Sequence, residues 1–437
     1  MIASTKIPFL SLAFVLLTSA AAPAVEPQEW VDTNMASLVK TYQWLHSHPE
    51  VSYEEKETAN KLAQFWKKSG YDVTKNVGGY GVVGMLRNGE GPTLMLRCDM
   101  DALPVTEQTP LPFASTKTIE LNGGIKTGVM HACGHDVHMT NLIGVAQYLA
   151  EHVSLWSGTL MLVGQPAEER GGGAKAMLRD GIFERFAKPD YALAIHVCSK
   201  TPSGLVSVLP GFALANVDSV DITVKGRGGH GSAPHTTSDP IVQAASLVMS
   251  LQTIVSREVK PIEPAVLTVG SIHGGTKHNV IGDECRLQIT VRTYSDEVRQ
   301  QVLAAIQRQA KAVAVLYDAP QPSIHIGEGT PSLENDEQLA ARMRQVFEDT
   351  IGEDNVICDE PSMGGEDFSR YGKAGIPILL YRVGSVEKLR LDRFANMQLP
   401  PPSLHSSTYY PDIDLTLRTG IQTMTAAALD LLKKPST

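Results

Sequence analysis

Residues 93–105 read TLMLRCDMDALPV: a five-residue apolar run, then two aspartates and a proline-marked turn. A short apolar run closed by polar residues is what a strand covered on both faces looks like, as in a parallel sheet packed between helices. The same phrase recurs at Thr159–Val163 (TLMLV, leading into GQPAEERGGG) and at Tyr191–Val197 (YALAIHV). Helical patterns such as HMTNLIGVAQYLAEHV and GAKAMLRDGIFERF lie between these runs. The alternation predicts an α/β domain with a largely parallel central sheet flanked by helices. Ligands of such sheets gather beyond the carboxyl ends of the strands, so whatever follows each strand becomes a candidate site.

Working outward, the stretch from Trp30 to Tyr71 carries two helical patterns, the second stopped by Gly70 as a C-cap would stop it. Near Phe212 the rhythm changes. VDSVDITVKG alternates as a half-solvated strand does, a helix follows over Ile241–Val255, then AVLTVGSIHGG, ECRLQITVRT and a long helix over Asp296–Tyr317. The order β-α-β-β-α fits a small α+β (ferredoxin-like) unit with two helices on one sheet face. After Pro320 and Pro322 the first style resumes, with IPILLYRVG as another buried strand. The reading is therefore an insertion, with a domain over 25–212 and 327–437 split by a smaller one over 213–326.

The N-terminus places Lys6 before an apolar run from Ile7 to Leu17, then small residues ending at Ala22 and Ala24. That layout predicts a signal peptide over residues 1–24 and an exported mature protein, since the run is too short to span a bilayer. The 437 residues are 43% hydrophobic and 19% charged with a net charge of -9, without a long charge block. This composition argues against disorder and against a nucleic-acid partner. Five cysteines, an odd number without framework spacing, favour a ligand or buried thiols over disulfides.

Three strand ends deliver chemistry to one rim. TLMLR leads to Asp99 and Asp101, TLMLV to Glu168 and Glu169, and YALAI to His196, beside the helix opened by MHACGHDVHMT. Any one of these alone reads as a solvated loop charge or a helix cap; a metal accounts for the set. Cys133 and His135, two apart in a turn, can face one ion, and thiolate with imidazole and carboxylate suits zinc or a neighbouring first-row metal. Glu168 and Glu169 would point to opposite faces of a strand, so only a turn, supplied by Pro166 and Gly171–Gly173, lets both serve one site. One glutamate can then bind metal while the other takes the proton of an activated water. His131 and His138 are read as structural polar residues, and Cys98 and Cys198 as small buried thiols.

The set DMDALPV, MHACGHDVHMT, QPAEE, IHV, GGHGSAPH, NVIGDE, VRT and GGEDF, in this order, resembles the M20 metallopeptidase and amidohydrolase family. It is most similar to the aminoacylase-like branch that includes hippurate hydrolases and indole-acetyl-amino-acid hydrolases. The resemblance implies two divalent metal ions per subunit, zinc, manganese or cobalt, ligated by Cys133, His135, Glu169, His196 and His405. It implies Glu168 as general base and acid, and Asp101 as a carboxylate that orients a ligand. The inserted domain corresponds to the family's lid, which usually also makes a homodimer. There His230 maps to the histidine that reaches the partner's active site to hold the oxyanion, and Asn279 and Arg292 to residues that grip substrate. Gly365, within Gly364–Asp367, maps to the loop lining the leaving side. Gly282 stands where proline is usual after NVI, which loosens a turn without touching a proposed ligand.

These implications describe a metallo-amidohydrolase acting on a small molecule, an N-acyl amino acid or a short peptide with a free carboxylate, and an activity on linear amides rather than a true peptidase. The alternatives are an exported dipeptidase or carboxypeptidase of the same family, and a peptide-binding protein that has lost catalysis; an intact Glu168 argues against the last.

Overall fold

The strand Thr93–Asp99 lies inside an eight-stranded sheet of the computed structural model, which describes residues 25–434. The expected signal peptide, residues 1–24, lies outside the described residues. The sheet runs Asp72–Val77, Gly81–Asn88, Gly158–Gln165, Thr93–Asp99, Tyr191–Pro202, Ile378–Val386, Val206–Ser207, Val356–Ile357. Its four central strands, from Gly158–Gln165 to Ile378–Val386, are parallel, while the outer strands add antiparallel pairs. The prediction of a largely parallel, helix-flanked sheet therefore describes its middle.

Successive side chains of a strand face opposite sides, and here both sides are dry. Leu94 and Leu96 join Leu160, Leu162, Leu193 and Ile195 in one core beneath the helices Pro27–Ser47, His135–Glu151 and Ile413–Leu431. Met95 joins Met161, Ala192 and Leu380 on the other face, under Met177, Phe368 and Tyr371. Each fully buried aliphatic side chain contributes on the order of 1.5–3 kcal/mol, and trimming Leu96 to alanine costs about 2–5 kcal/mol with its cavity. The two-sided burial is why the runs carry no period-2 alternation. GAKAMLRDGIFERF forms two helices, Gly173–Arg179 and Ile182–Phe186, because Gly181 between them takes a left-handed φ of 75°.

The second sheet has four antiparallel strands in the order Ala265–Gly274, Glu284–Thr293, Asn216–Lys225, Ser323–Ile326. This is the ferredoxin-like order. Asn216–Lys225 buries every second residue, and the helices Pro240–Thr253 and Asp296–Leu316 share one core with the sheet. Asp239 and Ser295 cap these helices by accepting the N–H groups of Ile241 and Val298. The fourth strand is the one the sequence pattern missed, since SIHI is too short to display a period. Where the chain leaves and re-enters the larger unit, Val217 and Thr330 exchange two backbone hydrogen bonds of 2.9 Å. Among the described residues no helix is long and apolar enough to cross a membrane.

Candidate metal centre

The rim at the carboxyl ends of the central strands gathers its side chains through sharp turns. After Gln165 the backbone passes through Ala167 at φ 50° into the 3-10 turn Glu168–Arg170, which closes at Gly171 with φ 59°. That turn brings both glutamates to one side. Cys133 precedes Gly134, whose φ of 77° opens the helix His135–Glu151. A Cβ on Gly134 would meet Val197 Cγ2 at 2.6 Å, so only glycine lets this loop close on the His196 strand. His405 holds a left-handed φ of 68° while its N–H donates to the Ala132 carbonyl at 2.9 Å. A non-glycine residue in that region marks a conformation imposed by its surroundings.

Two trios of donor atoms share the thiol. Cys133, His135 and His196 form one and Cys133, Glu169 and His405 the other, each with its ligand atoms within 4.8 Å of one another. A third group, His135 with Glu168 and Glu169, links them. Cys133 Sγ lies 3.6 Å from His196 Nε2 and 3.3 Å from His405 Nε2, and His405 Nε2 lies 3.3 Å from Glu169 Oε1. His135 Nε2 lies 3.9 Å from Glu169 Oε1 and 4.0 Å from Glu168 Oε2. Donors bonded at about 2.0–2.3 Å around a tetrahedral ion stand roughly 3.3–3.8 Å apart, so these spacings suit a cation. His135 Nε2 and Glu169 Oε1 are buried and make no hydrogen bond, orphans that cations at this centre would satisfy. The residues fit the metals that the sequence implies.

The tautomers agree. His135 Nδ1 donates to the Asp101 carbonyl at 2.7 Å and His196 Nδ1 to the Val197 carbonyl at 2.8 Å, which leaves each Nε2 as the lone-pair atom facing the centre. Burial, reinforced by His138, pushes His196 down to about 3, so it stays neutral. His135 shows the opposite balance: burial opposes its charge, but Asp99 and Asp101 outweigh it and raise the group to about 10. The negative potential that would hold a proton there would equally hold a metal. Burial, then Glu169 and Glu168, push the Cys133 thiol well up, so a thiolate there requires a cation beside it.

Around these donors stands a second layer. The Asp101 carboxylate accepts the N–H groups of Glu168 at 3.1 Å and Glu169 at 3.0 Å and the Ser52 hydroxyl at 2.6 Å, so it positions the glutamate pair. His138 donates to Asp99 at 2.7 Å and accepts the Val197 N–H at 2.9 Å, a structural role as read from sequence. Arg97 is a buried guanidinium 2.9 Å from Asp99, 2.8 Å from Glu366 and 3.3 Å from Asp367. Glu366 and Asp367 in turn stand with Glu168, their carboxylate oxygens within 4.8 Å. Burial, then Glu366, Glu169 and Asp367, hold the Glu168 carboxyl well above the usual range. Sequence reasoning gave no role to Arg97, and it named Asp99 only within the strand-end set and Glu366 only within the loop Gly364–Asp367. The signal was there in Arg97, a charge inside an otherwise apolar buried strand, which is expensive unless it has partners.

A cavity of 1820 Å³ opens from this centre and is lined by Glu168, Glu169 and His196 and, across it, by Val217, Arg292 and Gly365. A Cβ on Gly365 would strike Val217 Cγ2 at 2.3 Å, so the glycine is what lets the loop meet the inserted unit. Arg292 makes no ion pair among the described residues, and burial lowers its pKa. His230 and Asn279 are not brought to this cavity. His230 is exposed on the ribbon Gly229–His230 with Val280–Ile281, its Nδ1 2.7 Å from the Ser232 hydroxyl, and the Asn279 carbonyl accepts from Gly231 beside it.

Residues 95–393 match the model of a family described as peptidase family M20/M25/M40. The chain is 38% identical over 326 residues to a hippurate hydrolase of Campylobacter jejuni, covering 74% of this chain and 82% of that one. It is 36% identical over 338 residues to thermostable carboxypeptidase 1 of Saccharolobus solfataricus, covering 76% and 82%. The crystal structure of Bacillus subtilis YXEP, described as a dinuclear metal binding peptidase from the M20 family, superposes with a TM-score of 0.74 at 28% identity, covering 92% of this chain and 99% of that one.

Proposed function

We propose a reaction and a substrate class from the premise that the chain belongs to peptidase family M20/M25/M40, metallohydrolases of amides and peptides: hydrolysis of the amide bond of N-acyl amino acids. The observation that carries this reading is the pair of donor trios sharing Cys133, with the buried Glu168 outside both and within ligand distance of His135 and Glu169. Cys133, His135 and His196 would hold one divalent cation and Cys133, Glu169 and His405 the other, and together these ions supply Lewis acidity and a water of lowered pKa. A thiol common to both trios would suit a soft divalent cation, zinc better than manganese.

Glu168, whose carboxyl is held high by burial and like charge, is suited to take a proton from the attacking water and return it to the departing nitrogen. Asp101 fixes the turn that aims it. Arg292, an unpaired guanidinium on the opposite wall, offers a fork for the substrate carboxylate. The oxyanion would be held by His230 from a second copy of this chain, since His230 stands away from the cavity of its own subunit, and Asn279 would approach the substrate the same way. A homodimer through the inserted unit and export after loss of residues 1–24 complete the proposal.

The 36% identity to a carboxypeptidase supports one second reading, cleavage of short peptides with a free carboxyl end. Turnover of N-benzoylglycine, N-acetyl amino acids and dipeptides, each with and without chelator, tests both. Chelator-sensitive cleavage of the acyl amino acids over dipeptides is expected; the reverse preference selects the peptidase, and no turnover of any sinks the enzymatic reading.

A further inference from the structure

Outside the donor trios lies a fully buried charged cluster with no part in the reaction. His46, in the last turn of the helix Pro27–Ser47, is 1% exposed. Its Nδ1 stands 2.7 Å from Asp136 Oδ2 and its Nε2 3.0 Å from Glu107 Oε1. A neutral imidazole has one N–H and would turn a lone pair on one of these carboxylates, so the geometry calls for the doubly protonated cation. Phe113 meets the ring edge-on with centroids 5.5 Å apart and closes the cluster from water. Burying one cation and two anions is costly, and exchanging them for apolar groups is often neutral or better. What the cluster holds is therefore informative.

Each carboxylate leads to a candidate ligand. Asp136 adjoins His135, and its other oxygen accepts the Val137 N–H at 2.9 Å in the first turn of that helix. Glu107 closes its own loop by accepting the Ser115 N–H at 2.6 Å and the Thr109 hydroxyl. The next residue, Gln108, donates its N–H to the Ser407 carbonyl at 2.8 Å and accepts the Ser407 hydroxyl at 3.3 Å. Ser407 lies two residues from His405, which the chain holds in a left-handed conformation. His135 belongs to one trio and His405 to the other.

We propose that His46 is a positioning residue for metal binding: as a buried imidazolium clamped between Asp136 and Glu107, it fixes the spacing between the segment that carries His135 and the segment that carries His405. The inference rests on the metal-centre reading above, and it concerns how tightly both positions bind rather than the chemistry.

The test uses the full chain stripped by chelator and titrated with zinc alone against a chromogenic competitor. The unaltered chain should take two ions; if it takes none, the metal-centre reading fails and the fault lies there. His46→Gln keeps the side chain's size and one donor. Folded by circular dichroism, it should bind zinc about 10–100-fold more weakly, as loss of an outer partner of a metal ligand does, and cobalt(II) loaded in zinc's place should show an altered thiolate charge-transfer band. Unchanged zinc affinity together with an unchanged cobalt spectrum overturns the proposal, whatever happens to the melting temperature. Should His46→Gln not fold, Glu107→Gln removes one carboxylate charge instead and is expected to weaken zinc by about tenfold. In the unaltered chain, zinc should slow hydrogen exchange at Glu107–Ser115 and at the end of the first helix; no change there overturns the proposal even if neither variant folds.

Discussion

His405 Nε2 and Cys133 Sγ lie 3.3 Å apart although 272 residues separate them in the chain. The contact closes the centre, because Cys133 is the donor common to the trio with His135 and His196 and the trio with Glu169 and His405. Cys133→Ser, which substitutes a hydroxyl that will not ionise near neutral pH, should therefore weaken both positions at once. The expected loss of zinc affinity exceeds the roughly 10–100-fold typical of an outer partner. Metal analysis of the folded variant after dialysis checks this, and two retained ions would refute the shared thiol.

Glu168→Gln keeps the volume and removes the proton carrier. Turnover should fall by about 10²–10⁴, the usual share of a general acid–base group, with the metal content unchanged because Glu168 stands outside both trios. A variant that keeps its rate would show that another group moves the proton.

Much of this was legible in the sequence because the strands end where the chemistry begins. TLMLR, TLMLV and YALAI set the parallel order, Glu169 and His196 lie at those strand ends, and Cys133 and His135 were marked by their spacing in a turn before a helix. His405 was reachable only through family resemblance, since no period or spacing ties residue 405 to residue 133. Arg97 stood out locally as a charge in an apolar strand, but its pairing with Glu366 stayed hidden for a physical reason: an ion pair 269 residues apart leaves no local pattern. His46 reads locally as one more residue on an amphipathic helix, and its partners Glu107 and Asp136 lie 61 and 90 residues away. The short strand Ser323–Ile326 carried too few residues to show alternation.

Arg97→Met should destabilise the protein severely. The change strands Asp99, Glu366 and Asp367 as buried acids without their cation, and removing one partner of a buried ionic network costs about 3–5 kcal/mol. Chemical denaturation of the metal-free forms measures it. The triple replacement of Arg97, Glu366 and Asp367 by apolar or amide groups should recover part of the loss, and a single variant with stability near the unaltered chain would contradict the network.

The last prediction concerns pH. Burial opposes the charge of His46, but the hydrogen bonds it donates to Asp136 and Glu107 outweigh it and raise the group from 6.5 to about 9. The neighbours agree: Asp136 and Glu107 are held below the usual carboxylate range, and burial pushes the nearby His131 down to about 4. A pKa higher in the folded than in the unfolded state means that the folded chain binds the proton more tightly. The resulting stability is complete below pH 6.5 and is lost as the pH rises through about 9. Between these limits it should decline by roughly 1.4 kcal/mol for each pH unit. Metal-free protein is the material to use, so that zinc binding does not add its own pH dependence. Denaturation of the unaltered chain and of His46→Gln from pH 6 to 9.5 should give a stability gap that is widest at the acid end and narrows toward the alkaline end. A gap that stays constant across this range would mean that His46 is not held as a cation between its two carboxylates.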